Sequence, residues 1–272
     1  MECMSLPIGV CSWSLRMDIT EVTKTLNKIG IDFLHLALRW ILEGNQQDCI
    51  SLIKKQSWKI SATMIDFPQE DYSTLDSIKL TGGIVPDECW EENRQLFFDA
   101  VKVTKALGVN YLSMHAGFID ERQKEYAEKF HNRIRVLADA AGGENIMLLL
   151  ETGQETAAHL RNFLEEINHP AIGVNFDPAN MILYDMGDPI EAVKILAPWI
   201  KHIHIKDAVR TTNPGTWGQE VIWGNGQVQP DKFLHALEKV NYKGVLAIER
   251  EAGDNHLDDI QLTVQRLNSF NR

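Results

Sequence analysis

Cysteine is scarce and unpatterned: Cys3, Cys11, Cys49 and Cys89 are the only four in 272 residues, and no two form a CxxC pair. That spacing excludes a zinc knuckle and a disulfide scaffold and fits a reducing compartment. The amino terminus, MECMSLPIGVCSWSLR, lacks a basic start followed by an apolar run, and no apolar stretch reaches the length of a membrane span. A cytoplasmic protein with no membrane partner is therefore expected. Positive charge is also in deficit. The 27 Lys and Arg against 38 Asp and Glu leave a formal charge of −11, which repels nucleic acid in a general way and leaves a phosphate only a local basic pocket. No GxGxxG follows the first apolar run, so the dinucleotide fingerprint of an open doubly wound sheet is missing.

What the chain does have is alternation. Hydrophobic residues make up 44% and charged residues 24%, enough apolar material for a large core. Short β-branched or apolar runs, each followed by an amphipathic stretch, recur along its whole length. Strands are expected near Ile8–Trp13, Phe33–Ala37, Lys59–Ile65, Tyr111–His115, Ile146–Glu151, Gly173–Asp177, Ile200–Lys206 and Val245–Glu249. Helices fit at about Ile19–Ile29, Gln47–Lys55, Cys89–Leu107, Glu121–Ala141, Ala157–Ile167, Ile190–Leu196, Asp231–Val240 and Leu257–Phe270. Gly30, Gly108 and the Gly142-Gly143 pair mark helix stops, and Pro86, Pro189 and Pro230 mark starts. Eight strand-helix units in one chain of this length point to a single α/β domain over residues 1–272, closed as a (β/α)8 TIM barrel. Two connections are long, Asp66 to Pro86 and Asp207 to Gln229, and both fall on the carboxyl-terminal face, where they are placed to cap a small ligand.

Strands five to eight end on ionisable groups: Glu151 in IMLLLE, Asp177 in GVNFD, His204 in HIHIKD and Glu249 in VLAIE. In a closed barrel the carboxyl ends of adjacent strands share one mouth, so these four side chains converge. Three carboxylates gathered in a partly dehydrated pocket repel one another, and a divalent cation removes that penalty. The donor set of three carboxylates and one imidazole suits Mn²⁺ or Mg²⁺ first, then Co²⁺ or Zn²⁺. On strand seven, His202 and His204 alternate with isoleucines and point to the same side. His204 is nearer the rim and is the expected ligand, with His202 a layer deeper as a hydrogen-bonded core residue. Trp13, Trp217 and Trp223 are placed either to stack on a ring or to pack between loops. The other histidines, His35, His131, His159, His169, His235 and His256, share no spacing and read as surface or helix-packing residues.

The motifs LLLETGQE, NFDPANM, HIHIKD with Arg210 six residues after His204, GNGQV and LAIERE resemble those of the xylose isomerase-like TIM barrels over nearly the whole chain. That family includes sugar epimerases of the tagatose/psicose 3-epimerase type, inosose dehydratases, hydroxypyruvate isomerases and, more remotely, endonuclease IV. The resemblance implies one metal ion on Glu151, Asp177, His204 and Glu249, with Glu151 and Glu249 exchanging protons with the substrate. It also implies that Arg210 holds substrate oxygens, with Lys206 and His115 as further pocket residues. Many epimerases have histidine three residues after the strand-six aspartate; here Asn180 stands there, able to hydrogen-bond a hydroxyl but not to carry a proton near neutral pH. Many relatives are dimers or tetramers, so a homo-oligomer is compatible with the resemblance.

The expected function is a divalent-metal-dependent isomerase or epimerase acting on a sugar, keto-sugar or polyol. The ion acidifies the hydrogen beside a chelated carbonyl by stabilising the enediolate, and the two glutamates act as base and acid. Loss of a β-hydroxyl from the same enediolate would make the enzyme a keto-sugar or inosose dehydratase instead. Two readings from other classes stand beside these: a metal- and sugar-binding protein without catalysis, and an endonuclease IV-like repair enzyme. The second would need several clustered metals and a basic surface, against the acidic balance of this chain.

Overall fold

The computed structural model describes residues 6–119 and 123–270; Cys3 and Glu121, the first residue of one expected helix, lie outside them. The strands are β1 (Ile8–Cys11), β2 (Phe33–Ala37), β3 (Lys59–Ile65), β4 (Tyr111–Met114), β5 (Met147–Glu151), β6 (Ile172–Phe176), β7 (Ile200–Ile205), β8 (Asp207–Val209), β9 (Gln219–Val221) and β10 (Leu246–Ile248). The helices are α1 (Ser12–Leu15), α2 (Ile19–Ile29), α3 (Arg39–Glu43), α4 (Gln46–Ile53), α5 (Leu75–Thr81), α6 (Trp90–Ala106), α7 (Lys124–Gly143), α8 (Ala157–Ile167), α9 (Pro178–Leu183), α10 (Pro189–Leu196), α11 (Pro230–Lys239) and α12 (His256–Phe270). Eight strands pair in parallel and close as β1-β10-β7-β6-β5-β4-β3-β2, while β8 and β9 form a separate antiparallel hairpin. The expected (β/α)8 barrel is thus the fold.

Local chemistry explains the framework. In α2, Asp18 accepts from the Thr20 N–H at the start, Gly30 ends the helix at φ 74°, and Val22, Leu26 and Ile29 form the buried stripe. Alternation along each strand sends one set of side chains outward to the helices and the other into the barrel. The outward set is apolar, as with Leu34 and Leu36, whereas the inward set near the mouth is polar: His35, Ser113, Asn175, His202 and His204 are all buried.

Two register shifts sit beside this polar layer, one at Leu34/His35 between β2 and β3, the other at Val174/Asn175 between β6 and β7. Each leaves one residue unpaired and re-aims its neighbours, a common device next to functional sites. The expected first strand ran on to Trp13, but the chain turns into α1 at Ser12, which carries Trp13 to the mouth. No helix of the described residues is long and apolar enough to cross a membrane.

Candidate active site

Glu151, Asp177, His204 and Glu249 meet at the carboxyl ends of β5, β6, β7 and β10, and one ligand-capable atom from each lies within 4.8 Å of the others. All four are buried. Each carboxylate has an oxygen that the scaffold holds. Glu151 Oε2 accepts from Asn175 Nδ2 at 3.1 Å, and Glu249 Oε1 accepts from Trp13 Nε1 at 2.8 Å. Asp177 Oδ1 caps α9, accepting from the Ala179 and Asn180 amides at 2.8 and 3.0 Å. Because Pro178 occupies the first turn, the helix starts with that cap already formed.

The remaining atoms face inward. Asp177 Oδ2, His204 Nδ1 and Glu249 Oε2 are buried with no hydrogen-bond partner among the described residues. His204 Nδ1 lies 3.0 Å from Glu249 Oε2, 3.5 Å from Glu151 Oε1 and 3.6 Å from Asp177 Oδ2. Buried polar atoms are rarely left unpaired, and four donors converging from four strands are a geometry that a divalent cation satisfies.

Behind His204 runs a polar chain that the sequence reading missed. His204 Nε2 is 2.9 Å from His35 Nδ1, and His35 Nε2 is 2.9 Å from Ser113 Oγ, which donates to the Thr63 carbonyl at 3.1 Å. His35, read from sequence as a surface or helix-packing residue, is fully buried in the barrel instead. Burial and the neighbouring His204 push its pKa down to about 3, so it is a neutral imidazole with one N–H and one lone pair. The signal was present in FLHLA, since alternation opposes His35 to two outward leucines. His202 sits deeper, as expected, with Nδ1 2.9 Å from Asn175 Oδ1 and Nε2 3.0 Å from Ser61 Oγ.

Charge in the site is balanced locally. Burial opposes ionisation of Glu249, yet the Lys206 ammonium, 3.3 Å away, and His204 hold its pKa well below the usual carboxylate range. Burial likewise opposes ionisation of Glu151, but His115 and His204 bring it down to about 2. Asp177 goes the other way: burial raises it to about 6, with Lys206 and His204 offsetting part of the rise. Burial disfavours the charged form of His204, but Cys11, Glu151 and Glu249 raise its pKa well above the ordinary value.

Of the cluster, Glu249 lines a cavity of about 680 Å³. Trp13, Tyr72, His115, Tyr184, Lys206 and Trp217 are among its lining residues. Tyr72 comes from the connection after β3 and Trp217 from the hairpin connection after β7, so both long loops reach the site. Trp223 does not; it is buried against Phe233. Asn180 lines the cavity, and its side-chain N–H donates to Glu151 Oε1 at 3.0 Å, so it orients a carboxylate. His115 Nε2 is 3.8 Å from Glu151 Oε1. Arg210, expected to hold substrate oxygens, lies outside the lining, as do Glu151, Asp177 and His204. Its guanidinium pairs with Asp185 and donates to the Gly187 carbonyl at 3.0 Å, both in the connection between α9 and α10.

Comparison with known proteins agrees with this architecture. A family model described as "Xylose isomerase-like TIM barrel" matches residues 26–270. The chain belongs to that family. A "3-dehydroshikimate dehydratase" of Bacillus anthracis is 31% identical over 97 residues, which is 34% of this chain and 32% of that protein. The chain thus matches about a third of the length of the curated relatives. A xylose isomerase domain protein from Planctomyces limnophilus superposes with a TM-score of 0.88 at 27% identity, covering 97% of this chain and 96% of that one. A D-allulose 3-epimerase from Methylomonas sp., solved with D-allulose, shares the fold with a TM-score of 0.73 at 16% identity over 97% and 96% of the two chains.

Proposed function

We propose that this protein is a divalent-metal-dependent sugar isomerase or epimerase in which Glu151, Asp177, His204 and Glu249 hold one ion. The observation that carries this reading is the convergence of Asp177 Oδ2, His204 Nδ1 and Glu249 Oε2, buried and without a hydrogen-bond partner among the described residues, beside Glu151 Oε1. Mn²⁺ and Mg²⁺ fit the oxygen-rich donor set best. When bound, the ion supplies Lewis-acid polarisation of a carbonyl and its neighbouring hydroxyl, which acidifies the adjoining C–H.

The residues of the chain do the rest. Glu151 and Glu249 are both held ionised at neutral pH, so either is competent to accept the carbon-bound proton. Return of that proton to the neighbouring carbon by the same carboxylate, with the hydroxyl proton passing to the former carbonyl oxygen, isomerises. Delivery to the original carbon from the opposite carboxylate, which must then carry a proton, inverts the centre. Lys206, between Glu249 and Glu251, keeps Glu249 charged, and Trp13 fixes its orientation. Arg210 would reach a substrate only after releasing Asp185.

A second reading, a dehydratase expelling a β-hydroxyl from the same enediolate, is favoured by the 31% identity to the Bacillus enzyme. Incubating the Mn²⁺-loaded protein with ketoses in D₂O separates these outcomes. Deuterium entering recovered or isomeric sugar supports isomerase or epimerase action, and an unsaturated product supports the dehydratase. Tight binding of a sugar with neither outcome would overturn the catalytic reading.

Two consequences of the geometry are measurable without substrate. A histidine bound to metal through Nδ1 carries its proton on Nε2, and His35 Nδ1 is placed to accept it. His35→Leu is expected to weaken Mn²⁺ binding by about 10- to 100-fold. His35→Asn, whose amide oxygen can take the place of Nδ1, should recover most of it; equal Kd values for wild type and His35→Leu would refute this role. Because His204 is protonated near neutral pH before the metal enters, loading should release about one proton per Mn²⁺ and tighten as pH rises. Calorimetry in buffers of different ionisation enthalpy reads that number directly.

A further inference from the structure

Anions bound at the mouth of a (β/α)8 barrel are commonly met by backbone N–H groups of the loops after the seventh and eighth barrel strands and by helix amino termini. In this protein those donors are already taken by its own carboxylates. After β7, the fully buried Asp207 receives the Gly224 and Gly226 amides on Oδ2 at 2.9 and 3.0 Å, and the Val228 amide on Oδ1 at 3.0 Å. The loop is wrapped so closely that a Cβ on Gly226 would collide with the Asp207 carboxylate and the Ala208 carbonyl. After β10, Glu220 receives the Glu251 and Ala252 amides at 3.0 and 3.3 Å and pairs with Arg250 at 2.6 Å. In the connection after β3, Glu70 receives the Phe67 and Gly83 amides at 3.2 and 2.9 Å. After β6, Asp177 caps α9.

The side-chain cations are likewise engaged. Of the described residues that line the cavity, Arg39 is paired with Asp66, Lys206 lies between Glu249 and Glu251, and His115 is 3.8 Å from Glu151 Oε1. Acidic Asp66, Glu220, Glu249 and Glu251 share that lining. A phosphate or carboxylate entering the cavity would meet like charge, and it could gain amides only by evicting a carboxylate that would then be buried unpaired. An uncharged polyol meets no such penalty, and Trp13, Tyr72, Tyr184 and Trp217 give the lining the aromatic character that suits an apolar sugar surface.

We propose that the substrate is an uncharged sugar, free or glycosylated, and that phosphorylated and carboxylated analogues are excluded at the mouth. This rests on the reading of the site as a metal-dependent sugar enzyme. The cavity of about 680 Å³ falls within the roughly 300–1,000 Å³ that holds drug-sized ligands, so a glycoside fits as well as a single ketose.

The test uses matched pairs on the Mn²⁺-loaded full chain: D-fructose against D-fructose 6-phosphate, D-tagatose against D-tagatose 6-phosphate, and 3-dehydroshikimate as a carboxylate. Deuterium exchange from solvent should favour the uncharged member by at least about a hundredfold in kcat/KM, and equal or faster exchange into a phosphate or carboxylate overturns the proposal. Glu251→Gln, which removes one anionic partner of Lys206, should raise the phosphorylated-to-free ratio by about tenfold; an unchanged or lower ratio counts against the proposal. Thermal shifts with the same ligands, with and without Mn²⁺, give an arm that does not need turnover. Stabilisation by the free sugars or a methyl glycoside but not by the phosphates upholds the substrate class even if exchange is absent and the catalytic reading falls. Stabilisation by inorganic phosphate or the sugar phosphates alone overturns it.

Discussion

Glu151→Gln and Glu249→Gln are each expected to lower turnover at least about a hundredfold, the usual scale for loss of a general acid or base, while leaving the fold intact. The amide keeps an oxygen for the hydrogen bond that orients each side chain, from Asn175 at Glu151 and from Trp13 at Glu249. What it removes is the negative charge that both proton transfer and the metal require. The barrel should tolerate this, because the charge lies in a cluster already rich in carboxylates and Lys206 retains Glu251 at 2.8 Å. Circular dichroism and a melting curve close to wild type, together with the rate loss, would satisfy the prediction. Near-wild-type rates in either variant would remove that residue from proton transfer.

Removal of the metal is the second large effect. Dialysis against a chelator should abolish activity and lower Tm, and Mn²⁺ or Mg²⁺ should restore both. A ligand held at a hundred times its Kd stabilises the native state by about 2.7 kcal/mol, which for a domain of this size corresponds to roughly 5–10 °C. Without an ion, the buried acids are balanced by Lys206, His115 and the protonated His204. A chelated protein that melts at the same temperature and retains its rate would separate the cluster from metal binding altogether.

The barrel was readable from the sequence because its strands are short apolar runs separated by amphipathic helices, and that alternation does not depend on distant contacts. Strand ends came within about two residues. The short helices α1, α3, α5 and α9 were not read, since four to seven residues span too few turns for a periodic stripe. The β8/β9 hairpin was hidden for a similar reason, its strands being three residues long. Glu151, Asp177, His204 and Glu249 were legible because each is an ionisable residue closing an apolar run. His35, Ser113 and Asn175 are single polar residues inside such runs, and their roles appear only when the barrel brings β2, β4, β6 and β7 around one axis.

Arg210 illustrates the opposite case. The family resemblance placed it in the pocket, yet its guanidinium pairs with Asp185. The pairing of Asp207, Glu220 and Glu70 with loop amides likewise depends on how the long connections fold back, which no local pattern records. In the proposed reading these contacts bear on which substrates enter, whereas the strand ends bear on which chemistry is available.

The most direct test of the metal-centred account is metal content. The protein is loaded with Mn²⁺, dialysed, and its metal quantified per chain beside a His204→Gln variant. One ion per wild-type chain, and far less in the variant, is the predicted result. No retained divalent ion in the wild type, undiminished binding in the variant, or three zinc ions per chain would contradict it.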